Sequence, residues 1–257
     1  MKTIINATLL ITGLFIFSVS AAEMKTLRLG TEGAYAPFNS VNKEGELVGF
    51  DIEIGKALCA EMKVKCEWVT SDWDGLIPAL LAKKFDAIVA SMSITEERKQ
   101  KIAFTSKYYT TPGRFVRMKG DTVEANKESL KGKVIGVQGG TISENFVRGE
   151  FGEVVDIKVY GTQDEANLDF MAGRVDVVFA DSVVLVDFLK SKSGQQAELF
   201  GPSFTEAKYF GEGIGIGLRK NDQALLETFN QAIDAIRANG TYQKINAKYF
   251  DFDLFGE

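Results

Sequence analysis

Leu80-Leu-Ala-Lys-Lys-Phe-Asp-Ala-Ile-Val-Ala-Ser-Met-Ser-Ile-Thr-Glu-Glu-Arg98 is the stretch that decides the fold. It predicts the end of a helix, a turn, a buried strand over residues 85–89, and a polar exit. The exit carries Ser91, Ser93, Thr95 and Arg98. In open α/β sheets, ligands bind just past the carboxyl ends of such strands. Thr95 is placed to cap a short helix, which puts Arg98 in its first turn. A cation there opposes the helix dipole, which suggests an anion using both Arg98 and the free amides. The competing reading is a surface arginine paired with Glu96 or Glu97.

The same stretch recurs. Leu81-Ala-Lys-Lys-Phe-Asp-Ala-Ile-Val-Ala-Ser91 lies without a gap on Met171-Ala-Gly-Arg-Val-Asp-Val-Val-Phe-Ala-Asp181. At the same offset, Trp68-Val-Thr-Ser71 meets Lys158-Val-Tyr-Gly161. At another offset, Arg28-Leu-Gly-Thr-Glu-Gly33 lies on Val134-Ile-Gly-Val-Gln-Gly139. Matches in the right order, each on a strand and its exit, predict two similarly built α/β lobes. Residues 1–22 form a leader, 23–110 and 207–257 one lobe, and 111–206 the other. Two chain crossings, near Thr111-Pro-Gly113 and near residues 202–210, make a hinge that permits closure around a ligand.

Composition narrows the function. The 257 residues carry a formal charge of −5, and no Lys/Arg run stands out, which argues against a nucleic-acid partner. There is no histidine and there are two cysteines, so the usual general base and most of a metal site are missing. We therefore expect no catalytic residues, no metal and no cofactor. The leader has Lys2, an apolar run over residues 9–19 and the small-residue segment Ser18-Val-Ser-Ala-Ala22. That is the pattern of a secretory signal, with the mature chain starting near Glu23. No other segment is long and apolar enough to insert in a membrane. In an exported chain Cys59 and Cys66 most simply form a disulfide, the alternative being two unpaired buried thiols. Within the first lobe, Asp51 is expected to N-cap a helix over residues 51–62, and a further helix covers residues 73–81. In the second lobe, Thr162 and Glu165 form a capping box.

The strand exits bring charges together. If the lobes face each other, Glu32, Ser91, the loop from Gln138 to Thr141 and Asp181 converge on one cleft. Arg98 adds one cation to two separated acids. Its complement is a small molecule with one carboxylate and two cationic groups: arginine, lysine or ornithine. Arg98 would hold the α-carboxylate, helped by amides at Ser93 and Thr141. Asp181 and the Ser91 hydroxyl would take the α-ammonium, and Glu32 the side-chain cation. Tyr35 and Trp73 would flank the aliphatic stem. Each has a plainer reading: Asp181 as a helix cap, Glu32 as a solvated charge, the serines as turn residues, Tyr35 and Trp73 as core.

Several stretches carry a wider resemblance: Gly30-Thr-Glu-Gly-Ala-Tyr-Ala-Pro-Phe38, Gly49-Phe-Asp-Ile-Glu53, Trp73-Asp-Gly-Leu-Ile-Pro78, Ser93-Ile-Thr-Glu-Glu-Arg98 and Gly136-Val-Gln-Gly139. The chain resembles the bacterial periplasmic solute-binding proteins that feed polar amino acids to ABC importers. The likeness is to the lysine/arginine/ornithine- and histidine-binding group, with the octopine and nopaline binders nearby. It implies a two-lobed monomer that closes over an L-amino acid and docks on inner-membrane permease subunits, with a disulfide between Cys59 and Cys66. It also implies ligand roles for Arg98 (carboxylate), Asp181 (ammonium), Ser91, Ser93, Thr141 (amide and hydroxyl donor) and Tyr35. Glu32 stands where the group usually has Asp, Trp73 where it has Phe, and Ala90 and Gly140 replace serines. Those departures favour arginine, with ornithine and lysine next and opines or histidine as the alternative. A dehydratase on the same fold is the enzymatic competitor. A receptor's sensor segment is disfavoured because no membrane span or kinase segment follows.

Overall fold

The computed structural model describes residues 25–256, and the expected leader lies outside them. Two five-stranded sheets organise the chain. The first runs Lys65–Thr70, Thr26–Thr31, Ala87–Ile88, Gly217–Leu218, Ala103–Phe104. The second runs Asp156–Tyr160, Val134–Gln138, Val177–Asp181, Gly113–Met118, Ala197–Phe204. In each, the first three strands are parallel and the fourth is antiparallel to the third. The chain passes to the second sheet between Phe104 and Gly113 and returns between Phe204 and Gly217. The fold is therefore two α/β lobes with a double crossing.

The repeat explains the architecture at the level of single bonds. Gly30 pairs with Ile88 in the first sheet and Gly136 with Val178 in the second. The recurring aspartate has the same task in both: Asp86 accepts the backbone N–H of Arg28 at 3.1 Å, and Asp176 that of Val134 at 2.8 Å. Each carboxylate satisfies a donor at the start of a central strand and so fixes the parallel register. Asp86 also pairs with Arg28 and Arg219. Upstream the gapless match slips by one. Trp68 sits beside Leu29, whereas the residue beside the equivalent Ile135 is Ile157, not Lys158. The strand in the first lobe is also shorter than expected, with Ala87 and Ile88 alone paired out of 85–89.

These central strands are buried on both faces, which is why they are continuous apolar runs. Leu29, Ala87, Ile88 and Val89 have no exposure, nor do Ile135, Val137, Val177 and Phe179. Helix Phe50–Glu61 packs on the first sheet and is tied by the Cys59–Cys66 disulfide to strand Lys65–Thr70. Its start departs from expectation. The N-cap is Gly49, at φ 127°, and Asp51 lies inside the first turn, fully buried. A Cβ on Gly49 would lie 2.3 Å from the Phe38 carbonyl oxygen, so no capping side chain fits there. Asp51 instead accepts from the Tyr108 hydroxyl at 2.7 Å and Asn39 Nδ2 at 3.1 Å, and burial pushes it up to about 6. The helix expected over 73–81 opens as a 3-10 turn, Trp73–Gly75, and becomes α-helical at Leu76–Leu81. Pro78 falls in its first turn, where no intrahelical donor is lost. The Thr162–Glu165 capping box forms as expected. Among the described residues no helix is long and apolar enough to cross a membrane, and no group of His, Cys, Asp and Glu is arranged to hold a metal ion.

Candidate functional site

The carboxyl ends of the central parallel strands of both sheets open onto one cavity of about 270 Å³. Glu32 follows strand Thr26–Thr31, and Ser91 and Ser93 follow Ala87–Ile88. Across from them, Gln138 and Asp181 end strands Val134–Gln138 and Val177–Asp181. All eight expected residues, Glu32, Tyr35, Trp73, Ser91, Ser93, Arg98, Thr141 and Asp181, line this cavity.

At one end stands Arg98, 9% exposed, in the short helix Glu96–Lys99 capped by Thr95. Its Nη1 donates to the Ser93 carbonyl at 3.0 Å and its Nη2 to the Gly140 carbonyl at 3.3 Å. Its face lies over the Trp73 ring at 5.1 Å. Among the described residues no carboxylate forms an ion pair with it, so the competing reading, a surface arginine paired with Glu96 or Glu97, is not met. Burial pushes the guanidinium down to about 10. Helix Ile142–Phe151 begins at the same end. The Thr141 hydroxyl is occupied there: it donates to the Gln138 carbonyl at 2.7 Å and accepts from the Glu144 N–H at 3.2 Å. Thr141, Ile142 and Ser143 line the cavity at the start of this helix, where first-turn backbone N–H groups have no intrahelical carbonyl partner.

The acids occupy the rest. Asp181 caps helix Ser182–Lys190 by accepting from the Val183 N–H at 2.8 Å, and the Thr111 hydroxyl donates to its other oxygen. Capping and lining the cavity are thus compatible. Burial pushes Asp181 up to about 6 despite these donors. Glu32 accepts from Gln138 Nε2 at 2.6 Å, and burial pushes it up to about 7. The Tyr35 hydroxyl faces the Asp181 backbone and is raised well above the ordinary phenol range, chiefly by burial. Ser91 has a left-handed backbone, φ 52°, and its N–H donates to the buried Asp51. No ion pair to Glu32 or Asp181 occurs among the described residues.

Thr111, Ser143 and Glu212 also line the cavity and were missed. Thr111 was legible only as linker. Gln138 was singled out as part of a loop, not as a partner of Glu32. The signal existed, since the repeat places Gln138 on Glu32, and equivalent strand ends in facing lobes meet.

Two α/β lobes with their strand ends turned to a common polar cavity define a two-lobed solute-binding protein. The chain belongs to the bacterial extracellular solute-binding proteins, family 3, whose sequence profile matches residues 27–252. It is 51% identical over 237 residues to the L-arginine-binding protein of Pseudomonas aeruginosa, covering 91% of this chain and 92% of that one. It is 43% identical to the lysine/arginine/ornithine-binding periplasmic protein of Escherichia coli K12, over the full length of both. An ancestral arginine-binding protein solved with arginine superposes with a TM-score of 0.82 at 38% identity, covering 88% of this chain and 98% of that one.

Proposed function

We propose that this protein binds a cationic L-amino acid, arginine before ornithine and lysine, in the periplasm and delivers it to an ABC importer. One observation carries the reading: among the described residues, a buried guanidinium with no ion pair to a carboxylate shares a cavity with two desolvated carboxylates that make no ion pair. A zwitterion with a second cationic group satisfies all three at once. Arg98 and the amides after Gly140 take the α-carboxylate. Asp181 and Ser91 take the α-ammonium, Glu32 takes the guanidinium, and Tyr35 and Trp73 flank the stem. The arginine-binding names of the relatives support the same choice.

In this reading residues 23–110 with 207–257 move as one body and 111–206 as the other, with residues 1–22 removed on export. The monomer docks on permease subunits and catalyses nothing. Calorimetry with L-arginine tests the assignment. Arg98→Ala leaves an anion and a desolvated site unmatched, costing on the order of several hundred-fold in affinity. Full-strength arginine binding by that variant overturns the site. Parallel titrations with ornithine, lysine, histidine, octopine and nopaline rank the ligands, and incubation with prephenate or arogenate tests for turnover.

A further inference from the structure

Gly140 is the point at which the two lobes touch beside Arg98. Its carbonyl oxygen belongs to the second lobe, and it accepts from two first-lobe side chains. The Trp73 indole Nε1 donates to it at 3.0 Å and Arg98 Nη2 at 3.3 Å. The Trp73 ring also lies against the Arg98 guanidinium at 5.1 Å. Three groups therefore share one spot: a ring, a cation held against it, and a carbonyl from the opposite lobe that both address. Gly140 sits in a left-handed conformation, φ 65°, and its N–H donates to the Glu144 carboxylate of its own lobe at 2.8 Å. A phenylalanine at position 73 would keep the ring but lose the N–H. A Cβ at position 140 would lie 3.6 Å from Trp73 Cδ1 and Nε1, against the bonded ring. Of the four positions that set this sequence apart from the group it resembles, Glu32, Trp73, Ala90 and Gly140, two meet here.

We propose that Trp73 is a positioning residue that clasps the lobes and, through that clasp, aligns Arg98. Its indole N–H holds the Gly140 carbonyl in place, and that carbonyl fixes one edge of the guanidinium while the Trp73 ring supports its face. When the lobes separate, the carbonyl leaves, and Arg98 keeps its bond to Ser93 and the Trp73 ring, both on its own lobe. The anion-holding geometry is then complete only on closure. This rests on the reading of Arg98 as the carboxylate anchor. The contact adds to the closed form specifically, so it acts on ligand release more than on capture.

Trp73→Phe removes the N–H while keeping a smaller aromatic face at the position. A single partly exposed hydrogen bond corresponds to about a two- to five-fold change. Stopped-flow measurement should show L-arginine dissociating about two- to five-fold faster from Trp73→Phe, with an unchanged association rate. The melting temperature of the ligand-free protein should fall by no more than the loss of one hydrogen bond from its closed form entails, whereas a role in packing within a lobe would lower it further. Small-angle scattering of the ligand-free protein should show a more open average shape for the variant. Unchanged dissociation together with an unchanged scattering profile overturns the clasp. If the parent protein binds no arginine in calorimetry, the reading of Arg98 fails separately. The ligand-free scattering then decides alone: a more open variant supports the clasp and an identical profile refutes it.

Discussion

Arginine affinity should fall steeply as pH is lowered, because the acids of the cleft must ionise before they meet a cation. Burial raises Glu32 to about 7 and Asp181 to about 6, while the ligand's own cations do not titrate below pH 8. A carboxyl group forced to ionise weakens binding by its ratio of total to ionised form. At pH 8 neither group costs much. At pH 7 Glu32 costs about two-fold. At pH 5 Glu32 is ionised in about one molecule in a hundred and Asp181 in about one in ten, so the product is about a thousand-fold. That figure is an upper bound, since part of the desolvation is relieved when the lobes part. Calorimetry at pH 5, 6, 7 and 8 measures the profile. Repeating the pH 7 titration in buffers of different ionisation enthalpy should reveal release of about half a proton per arginine bound. Glu32→Gln should abolish that release and flatten the profile between pH 8 and 6.5. An affinity that stays level from pH 8 to 5 in the parent protein, or that rises on acidification, refutes the reasoning.

The same shifts act on stability with the opposite appearance. Glu32, Asp51 and Asp181 have folded-state values above their unfolded ones, so the native protein holds protons that the unfolded chain has released. Ligand-free stability should therefore decline as pH rises from about 4 to about 7, and saturating arginine should reverse the trend in a thermal scan. Asp51→Ala strips a buried acceptor from Tyr108 and Asn39 and should lower stability by about 3 kcal/mol in urea; a loss under 1 kcal/mol would show that the network is dispensable. Replacing Cys59 and Cys66 by serine opens a link spanning seven positions and should cost about 2 kcal/mol by the same measurement. Gly49→Ala should cost at least about 2 kcal/mol, because its Cβ would collide with the Phe38 backbone; an unchanged urea midpoint would contradict that.

Much of the cleft was legible because a parallel strand announces its own exit. Gly30-Thr-Glu32, Ala90-Ser91 and Ala180-Asp181 each follow a buried apolar run, and the repeat said that these exits are equivalent. Asp51 was not legible. Its type and place before an apolar run argue for an N-cap, and only the approach of the Phe38 backbone to Gly49 shifts the helix start and sends Asp51 inward. The Thr141 hydroxyl was likewise expected to be free for a ligand, but capping its own helix uses it.

Sequence by itself determined the two-lobed α/β plan, the double crossing and three of the charges that line the cleft, Glu32, Arg98 and Asp181. Those depend on local periodicity, on strand ends and on an internal repeat, all of which are written along the chain. Tertiary structure alone decided what each group is free to do. Glu32 leans on Gln138, and Trp73 and Arg98 share the Gly140 carbonyl. Hydrogen-bond partners 106, 67 and 42 positions apart leave no local trace. They are set by how two separately packed sheets face each other, and so is the desolvation that raises the acids.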